Sequence, residues 1–309
     1  MPTGNDRIAE IIDETYGPIV KSRLEHPVRT PELAVKILEE QYKLIVDKRI
    51  VSLTFAAFMN SRPVLYEGPP GTGKTEIGEA LLELWSARKP FVLPCSENYD
   101  EYKIIGDFHP LLALRKGFNE ESFIPRPLLA AFILGTGVLV DEIRRSSEEF
   151  HNLLLDIADK RRIIVPELRR AFTQTSEGFQ IVFTSNPEDI GQNELSDAFL
   201  RRVVRIEFTY PPRNVEEKIL KLRMSPDIDI PGDVRSIMLD IVEDLREAPI
   251  NYKPGTADIV LWARMSQAIA SLRGRSTVGI DCLREAALST LVKRPEDAHT
   301  VREIVNSYL

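Results

Sequence analysis

The chain has 309 residues, 43% of them hydrophobic, enough for a sizeable core and suggesting about two domains. Its 47 acidic against 40 basic side chains leave a net charge of −7, which argues against a general polyanion-binding surface and makes nucleic acid an unlikely partner. The longest uncharged run, Pro127 to Val140, is broken by Gly135 and Gly137. It falls well short of the roughly 20 residues a membrane-spanning helix needs, so no span is expected. The start, Met1-Pro-Thr-Gly-Asn-Asp6, lacks a basic segment followed by an apolar one, which predicts a cytoplasmic compartment. Cys95 and Cys282 are the only cysteines. Two thiols so far apart fit a reducing environment and read as buried structural side chains.

In chain order, residues 1–35 form an N-terminal lead-in, polar and weakly helical up to about residue 30. Glu32 to Met59 carries apolar residues at near-helical spacing (Leu33, Val35, Leu38, Tyr42, Ile45, then Ile50, Val51, Leu53, Phe55) and predicts one or two helices ended by Arg62-Pro63. Short apolar runs of strand length follow at 64–66, 91–93, 138–140, 181–183 and 203–208. Helical patterns separate most of them, including Thr75 to Trp85 and Ser147 to Ala158. Continuous rather than alternating apolar strands, with helices between them, are what a parallel sheet covered on both faces requires. Residues 36–212 therefore read as an α/β domain. After Pro211-Pro212 the strand signal disappears. Helical stretches at 215–222, 233–247, 256–272 and 281–292, with a short fifth near 296–308, predict a helical bundle over 213–309.

The strongest chemical signal sits where the first strand ends. In Gly68-Pro69-Pro70-Gly71-Thr72-Gly73-Lys74-Thr75 the glycines permit close backbone approach, so that consecutive N–H groups can hold phosphate oxygens. The helix that follows adds its positive end. Lys74 would bridge the β- and γ-phosphates, and the Thr75 hydroxyl would ligate their magnesium ion; Glu76 completes the candidate segment. A second element is Val138-Leu-Val-Asp141-Glu142. An acidic pair at the carboxyl end of a buried strand is expensive to leave unpaired, so it should meet a cation or line a cleft. Asp141 would hold magnesium through its water shell while Glu142 polarises the attacking water; the alternative is an acidic cap on the next helix.

Two further signals follow. Ile181-Val-Phe-Thr-Ser185-Asn186-Pro187 ends a buried strand in polar groups, and the Asn186 amide could bond the nucleophilic water or the γ-phosphate, although Asn-Pro is also a common turn pair. Leu195 to Arg202 ends in two arginines before the last strand. Arg201 or Arg202 could reach a neighbouring subunit's γ-phosphate, or simply cap a surface helix.

Together these residues resemble the AAA+ ATPases. Residues 68–75 look like Walker A, 138–142 like Walker B, Asn186 like sensor 1 and Arg201/Arg202 like the arginine finger, in the family's order and spacing. Within that superfamily the chain looks most like the MoxR branch, whose Asp-Glu-Ile-Asn-Arg signature is close to Asp141-Glu-Ile-Arg-Arg145. Leu153 to Arg161 resembles the segment that follows, and Gly106 to Pro127 falls where that branch inserts a β-hairpin into its second helix. The resemblance implies an αβα sandwich with a five-stranded parallel sheet of order 5-1-4-3-2, followed by a C-terminal all-α lid domain. It also implies ATP and Mg2+ as ligands, a homo-oligomeric ring that is usually hexameric, and hydrolysis that remodels a protein client. Clients in the family often carry a von Willebrand factor A domain. The chain departs from the pattern twice. Arg144 stands where the signature has Asn, and the lid segment Lys253 to Trp262 puts Ile259 near the place of a sensor 2 arginine, a role Lys253 could take. Trp262 and Leu261 read as bundle core. Two alternatives to a remodelling motor are a GTP-using motor resembling the Mcr restriction subunit, which shares some character with residues 99–110, and a nucleotide-gated scaffold with vestigial turnover.

Overall fold

The computed structural model describes residues 6–97, 99–174, 176–187 and 193–309. They form two compact units. The first takes in the described residues of Met1–Leu38, Val46–Gly68 and Lys74–Phe208; the second comprises Glu39–Ile45, Pro69–Gly73 and Thr209–Leu309.

In the first unit, helix α1 (Arg7–Tyr16) starts at the capping carboxylate of Asp6, and α2 (Pro31–Ile37) carries proline at its first position, where the missing N–H costs nothing. Along the chain a π-helical turn, Leu38–Tyr42, whose residues from Glu39 onward belong to the second unit, stands between α2 and α3 (Lys48–Met59), so the periodic stretch from Glu32 divides into two helices. Strand β1 (Val64–Glu67) leads to α4 (Lys74–Ser86) and β2 (Phe91–Pro94). Next come α5 (Glu101–Ile104), β3 (Gly106–Phe108), α6 (Pro110–Lys116) and β4 (Phe123–Pro125). Helix α7 (Pro127–Leu134) is closed by left-handed Gly135 and feeds β5 (Val138–Asp141). The Ser147 hydroxyl caps α8 (Glu148–Lys160), and the hairpin β6 (Arg162–Val165) and β7 (Arg170–Thr173) precedes β8 (Ile181–Ser185), α9 (Asp197–Leu200) and β9 (Val204–Glu207).

Five strands form one parallel sheet in the order β2-β5-β8-β1-β9. Counted along the chain these are core strands 2-3-4-1-5, which is the expected 5-1-4-3-2 order read from the other edge. Burial explains the continuous apolar runs: Val138, Leu139, Val140, Val182 and Phe183 are wholly shielded. Each such side chain contributes roughly 1.5–3 kcal/mol on leaving water. Helix α4 lies close on the sheet, because at Gly78 a Cβ would meet Leu139 Cδ1 at 2.5 Å.

Two small antiparallel pairs flank the main sheet. β3 pairs β4 across α6, and this is the hairpin expected between Gly106 and Pro127. The β6–β7 pair was not legible beforehand: its arms have four residues each, and only Ile163, Val165 and Phe172 turn inward. The described lead-in residues also pack on this unit. Ile8 and Ile12 enter its core, Tyr16 Oη donates to Pro125 O at 2.9 Å, and the Arg29 guanidinium lies 4.6 Å over the Trp85 ring.

The second unit contains α10 (Arg213–Arg223), α11 (Gly232–Glu247), α12 (Thr256–Leu272), α13 (Ile280–Leu291) and α14 (Ala298–Tyr308). Trp262 is central, fully buried, with its indole N–H on Leu283 O at 3.0 Å. Leu261 is a correction to the sequence reading: it is 44% exposed. The buried stripe of α12 runs through Ile259, Trp262, Ala263, Ser266 and Ala270, and position 261 falls off it by helical geometry. Buried Glu216 accepts a two-pronged bond from Arg246 (2.7 and 3.0 Å) and one from Thr256 Oγ1 (2.7 Å), while Arg246 also stacks 4.2 Å from the Tyr210 ring centre.

Candidate active site

The loop between β1 and α4 has three glycines at positive φ: Gly68 (157°), Gly71 (72°) and Gly73 (87°). Gly68 has a second constraint, since a Cβ there would stand 2.0 Å from Phe208 O. The side chain at the end of this loop, Lys74, is buried and donates from Nζ to Gly68 O at 2.7 Å. Thr72 Oγ1 donates to Pro69 O at 2.9 Å. Helix α4 starts at Lys74, and Glu76, in its first turn, is exposed.

Thr75 Oγ1, in the first turn of α4, donates to Asp141 Oδ1 at the carboxyl end of β5 at 2.8 Å. The same oxygen accepts from Thr184 Oγ1 at 2.6 Å, and Thr184 in turn takes the Glu142 N–H at 2.9 Å. Asp141 is thus held by two hydroxyls from neighbouring elements. Thr184 had gone unnoticed in the sequence; the signal available was a polar residue interrupting an apolar run near the strand's end. The helix-cap alternative for the acidic pair is not what the structure adopts, because Ser147 caps α8 through Phe150 N. Glu142 sits in the left-handed region (φ 57°, ψ 53°), and its carboxylate pairs with Arg145 Nε at 2.7 Å. Both partners are about half exposed, so this pair is worth on the order of 1 kcal/mol or less.

Below the pair, His151 on α8 bonds Ile143 O at 2.9 Å, tying down the turn that follows Glu142; its ring packs 5.4 Å from Phe199. Burial is the main cause that lowers its pKa from the ordinary histidine value, so its neutral form is favoured. Burial, chiefly, likewise pushes the Cys95 thiol up to about 12. Asn186, buried, directly follows β8, the strand between β5 and β1. Glu79, one turn beyond Thr75 on α4, has a raised pKa from burial first and from the charge of Asp141 second.

Arg144 is turned inward. Its Nε donates to Ser185 Oγ at 2.7 Å and its Nη2 to Glu67 Oε1 at 2.8 Å; Glu67 is nearly fully buried and also pairs with Arg205 on β9. Arg201 and Arg202 stand at the end of α9, both exposed, and Arg202 Nε lies 3.3 Å from Asp159 Oδ2. In the second unit Ile259 is buried and Lys253 Nζ donates to Ala248 O.

A glycine loop opening onto α4, an acidic pair at the tip of the neighbouring-but-one strand and the 5-1-4-3-2 sheet define a P-loop nucleoside triphosphatase of the AAA+ class. Residues 63–203 match the AAA domain of the dynein-related subfamily. Residues 63–203 thus form an AAA-type ATPase domain. It is 27% identical over 236 residues to the uncharacterized protein YehL of Escherichia coli K12, covering 74% of this chain and 65% of that one. To the gas vesicle ATPase GvpN of Ancylobacter aquaticus it is 28% identical over 184 residues, 54% of this chain and 51% of that one. The chain thus spans between half and two thirds of these two relatives. Among solved structures, NtrX from Brucella abortus aligns with a TM-score of 0.55 at 14% identity over 90% of this chain and 64% of that chain, a likeness of fold alone.

Proposed function

We propose that the chain hydrolyses ATP with magnesium as one subunit of a homo-oligomeric ring, six-membered by the family pattern, and uses the cycle to remodel or assemble a protein client. The observation that carries this reading is the convergence of Thr75 Oγ1 and Thr184 Oγ1 on one Asp141 oxygen. Hydroxyl and carboxylate oxygens are the hard donors magnesium prefers, so Thr75 and Asp141 fit as its holders. When bound, the ion neutralises charge on the β- and γ-phosphate oxygens.

The chain's own groups divide the remaining tasks. Loop amides over 68–75 bind the phosphates, and Lys74 moves its ammonium from Gly68 O to the β/γ oxygens. Glu142 takes the proton of the attacking water at its carboxylate, and the Asn186 amide orients that water. Arg202, with Arg201 beside it, serves the nucleotide of the adjoining subunit; their exposure at the end of α9 supports delivery outward. A client with a von Willebrand factor A domain remains the family's suggestion. No helix among the described residues is long and apolar enough to cross a membrane.

The test is nucleotide binding measured with and without magnesium, beside sedimentation. Lys74→Ala is expected to abolish binding, and turnover of the parent is expected to rise with assembly. Unchanged ATP affinity in Lys74→Ala sinks the assignment of the loop.

A further inference from the structure

The buried carboxylate of Glu67 ends β1, directly before Gly68. Three contacts meet around it. Arg144 Nη2 takes one oxygen at 2.8 Å, Arg205 Nε takes the other, and Arg144 Nε reaches on to Ser185 Oγ at 2.7 Å. Each partner adjoins a different piece of the chemistry. Glu67 precedes the phosphate loop, Ser185 precedes Asn186, and Arg144 lies two residues beyond Glu142. One planar guanidinium therefore spans the carboxyl ends of β1 and β8 from the turn that follows β5, and its fork fixes direction as well as distance.

The burial of this network separates it from an ordinary surface pair. Arg144 is 17% exposed and the Glu67 side chain 4%. The ion pair cannot be swapped for water without uncovering a charge. The backbone adds a parallel tie, Gly68 N–H on Ser185 O at 3.3 Å. Surface placement of Arg144, such as a role facing another subunit, would leave its head group outward, whereas its Nε and Nη2 are committed inside.

We infer that Arg144 is a positioning residue for hydrolysis, a clamp that holds the Glu142 turn in register with the phosphate loop and with Asn186. This rests on the reading of the site given above. Arg205 pairs with the other oxygen of Glu67, so the buried carboxylate has a second cationic partner beside Arg144.

The experiment uses the full chain under conditions where the parent turns over. Arg144→Met, Ser185→Ala and the double variant are compared for kcat, for the Kd of magnesium-ATP and for Tm. For Arg144→Met kcat should fall at least tenfold while Kd stays within about twofold. Ser185→Ala should lose less, roughly threefold, and the double variant should be no slower than Arg144→Met, because the Ser185 bond is already lost when Arg144 is replaced. A merely structural arginine would lower Tm and leave kcat at low temperature within twofold of the parent, which overturns the clamp. Loss confined to Kd overturns it as well, and so do additive effects in the double variant. Should Arg144→Met not fold, Ser185→Ala with parental kcat overturns the inference alone. A parent chain that neither binds nor turns over magnesium-ATP overturns the reading of the site, and the clamp with it; parental turnover with normal Arg144→Met turnover overturns the clamp only.

Discussion

The tip of β5 and the end of α9 carry charges of opposite sign, and the fold treats them in opposite ways. Asp141 is gripped inside the chain by Thr75 and Thr184, and its neighbour Glu142 is anchored through its own N–H. Arg202 is 46% exposed and meets Asp159, itself partly exposed, at 3.3 Å. A pair so open to solvent contributes on the order of 1 kcal/mol or less, so little holds Arg202 where it is. One half of the proposed machinery is fixed by internal hydrogen bonds. The other half is presented at the surface.

Substitutions at the two places sharpen that contrast. Arg202→Ala is expected to reduce turnover of the assembled protein by ~10³ or more while leaving ATP affinity intact, as for an arginine that stabilises transition-state charge from outside. A monomer that hydrolyses as fast as the assembly breaks the comparison. At the fixed half, Glu142→Gln should slow turnover by roughly 10²–10⁴ through loss of the proton acceptor, with ATP retained and trapped, read by chasing bound nucleotide from a desalted sample. Asp159→Ala tests how lightly Arg202 is held: Tm should move by no more than about 1 kcal/mol of stability implies, and turnover by less than about threefold.

The smallest effect concerns pH. The folded pKa of His151 lies below its unfolded value, so the unfolded chain binds more protons between the two. Its contribution to stability is complete above about 6.5, the ordinary histidine value, and is lost as pH falls from there toward the folded pKa. Denaturant midpoints from pH 7.5 downward should show this slope, and His151→Gln should flatten it. A slope that survives in His151→Gln assigns it to other groups.

Much of this was readable residue by residue. The phosphate loop, the acidic pair, Asn186 and the arginine pair are local patterns whose spacing follows from strand ends and helix starts, and five apolar runs located the sheet. The pairing partners were not. Thr184 stands 43 positions from Asp141, and Glu67 stands 77 from Arg144. The sequence shows each only as a polar residue ending an apolar run. The β6–β7 hairpin escaped because four-residue arms with half their side chains outward carry little periodicity. Leu261 was misplaced because one residue of rotation on a helix moves a side chain 100° from the core.

Taken alone, the order of amino acids carried the proposed chemistry as local patterns: glycines read as a phosphate loop, a hydroxyl and two carboxylates read as holders of a metal and a water, and apolar runs read as strands. Those patterns depend on neighbours within a few positions, where backbone geometry dominates. Only the tertiary structure decided that Arg144 turns inward to Glu67 and that Thr184 shares Asp141 with Thr75. A polar side chain takes the nearest unsatisfied partner left after the core has closed, and that choice depends on elements dozens of residues away.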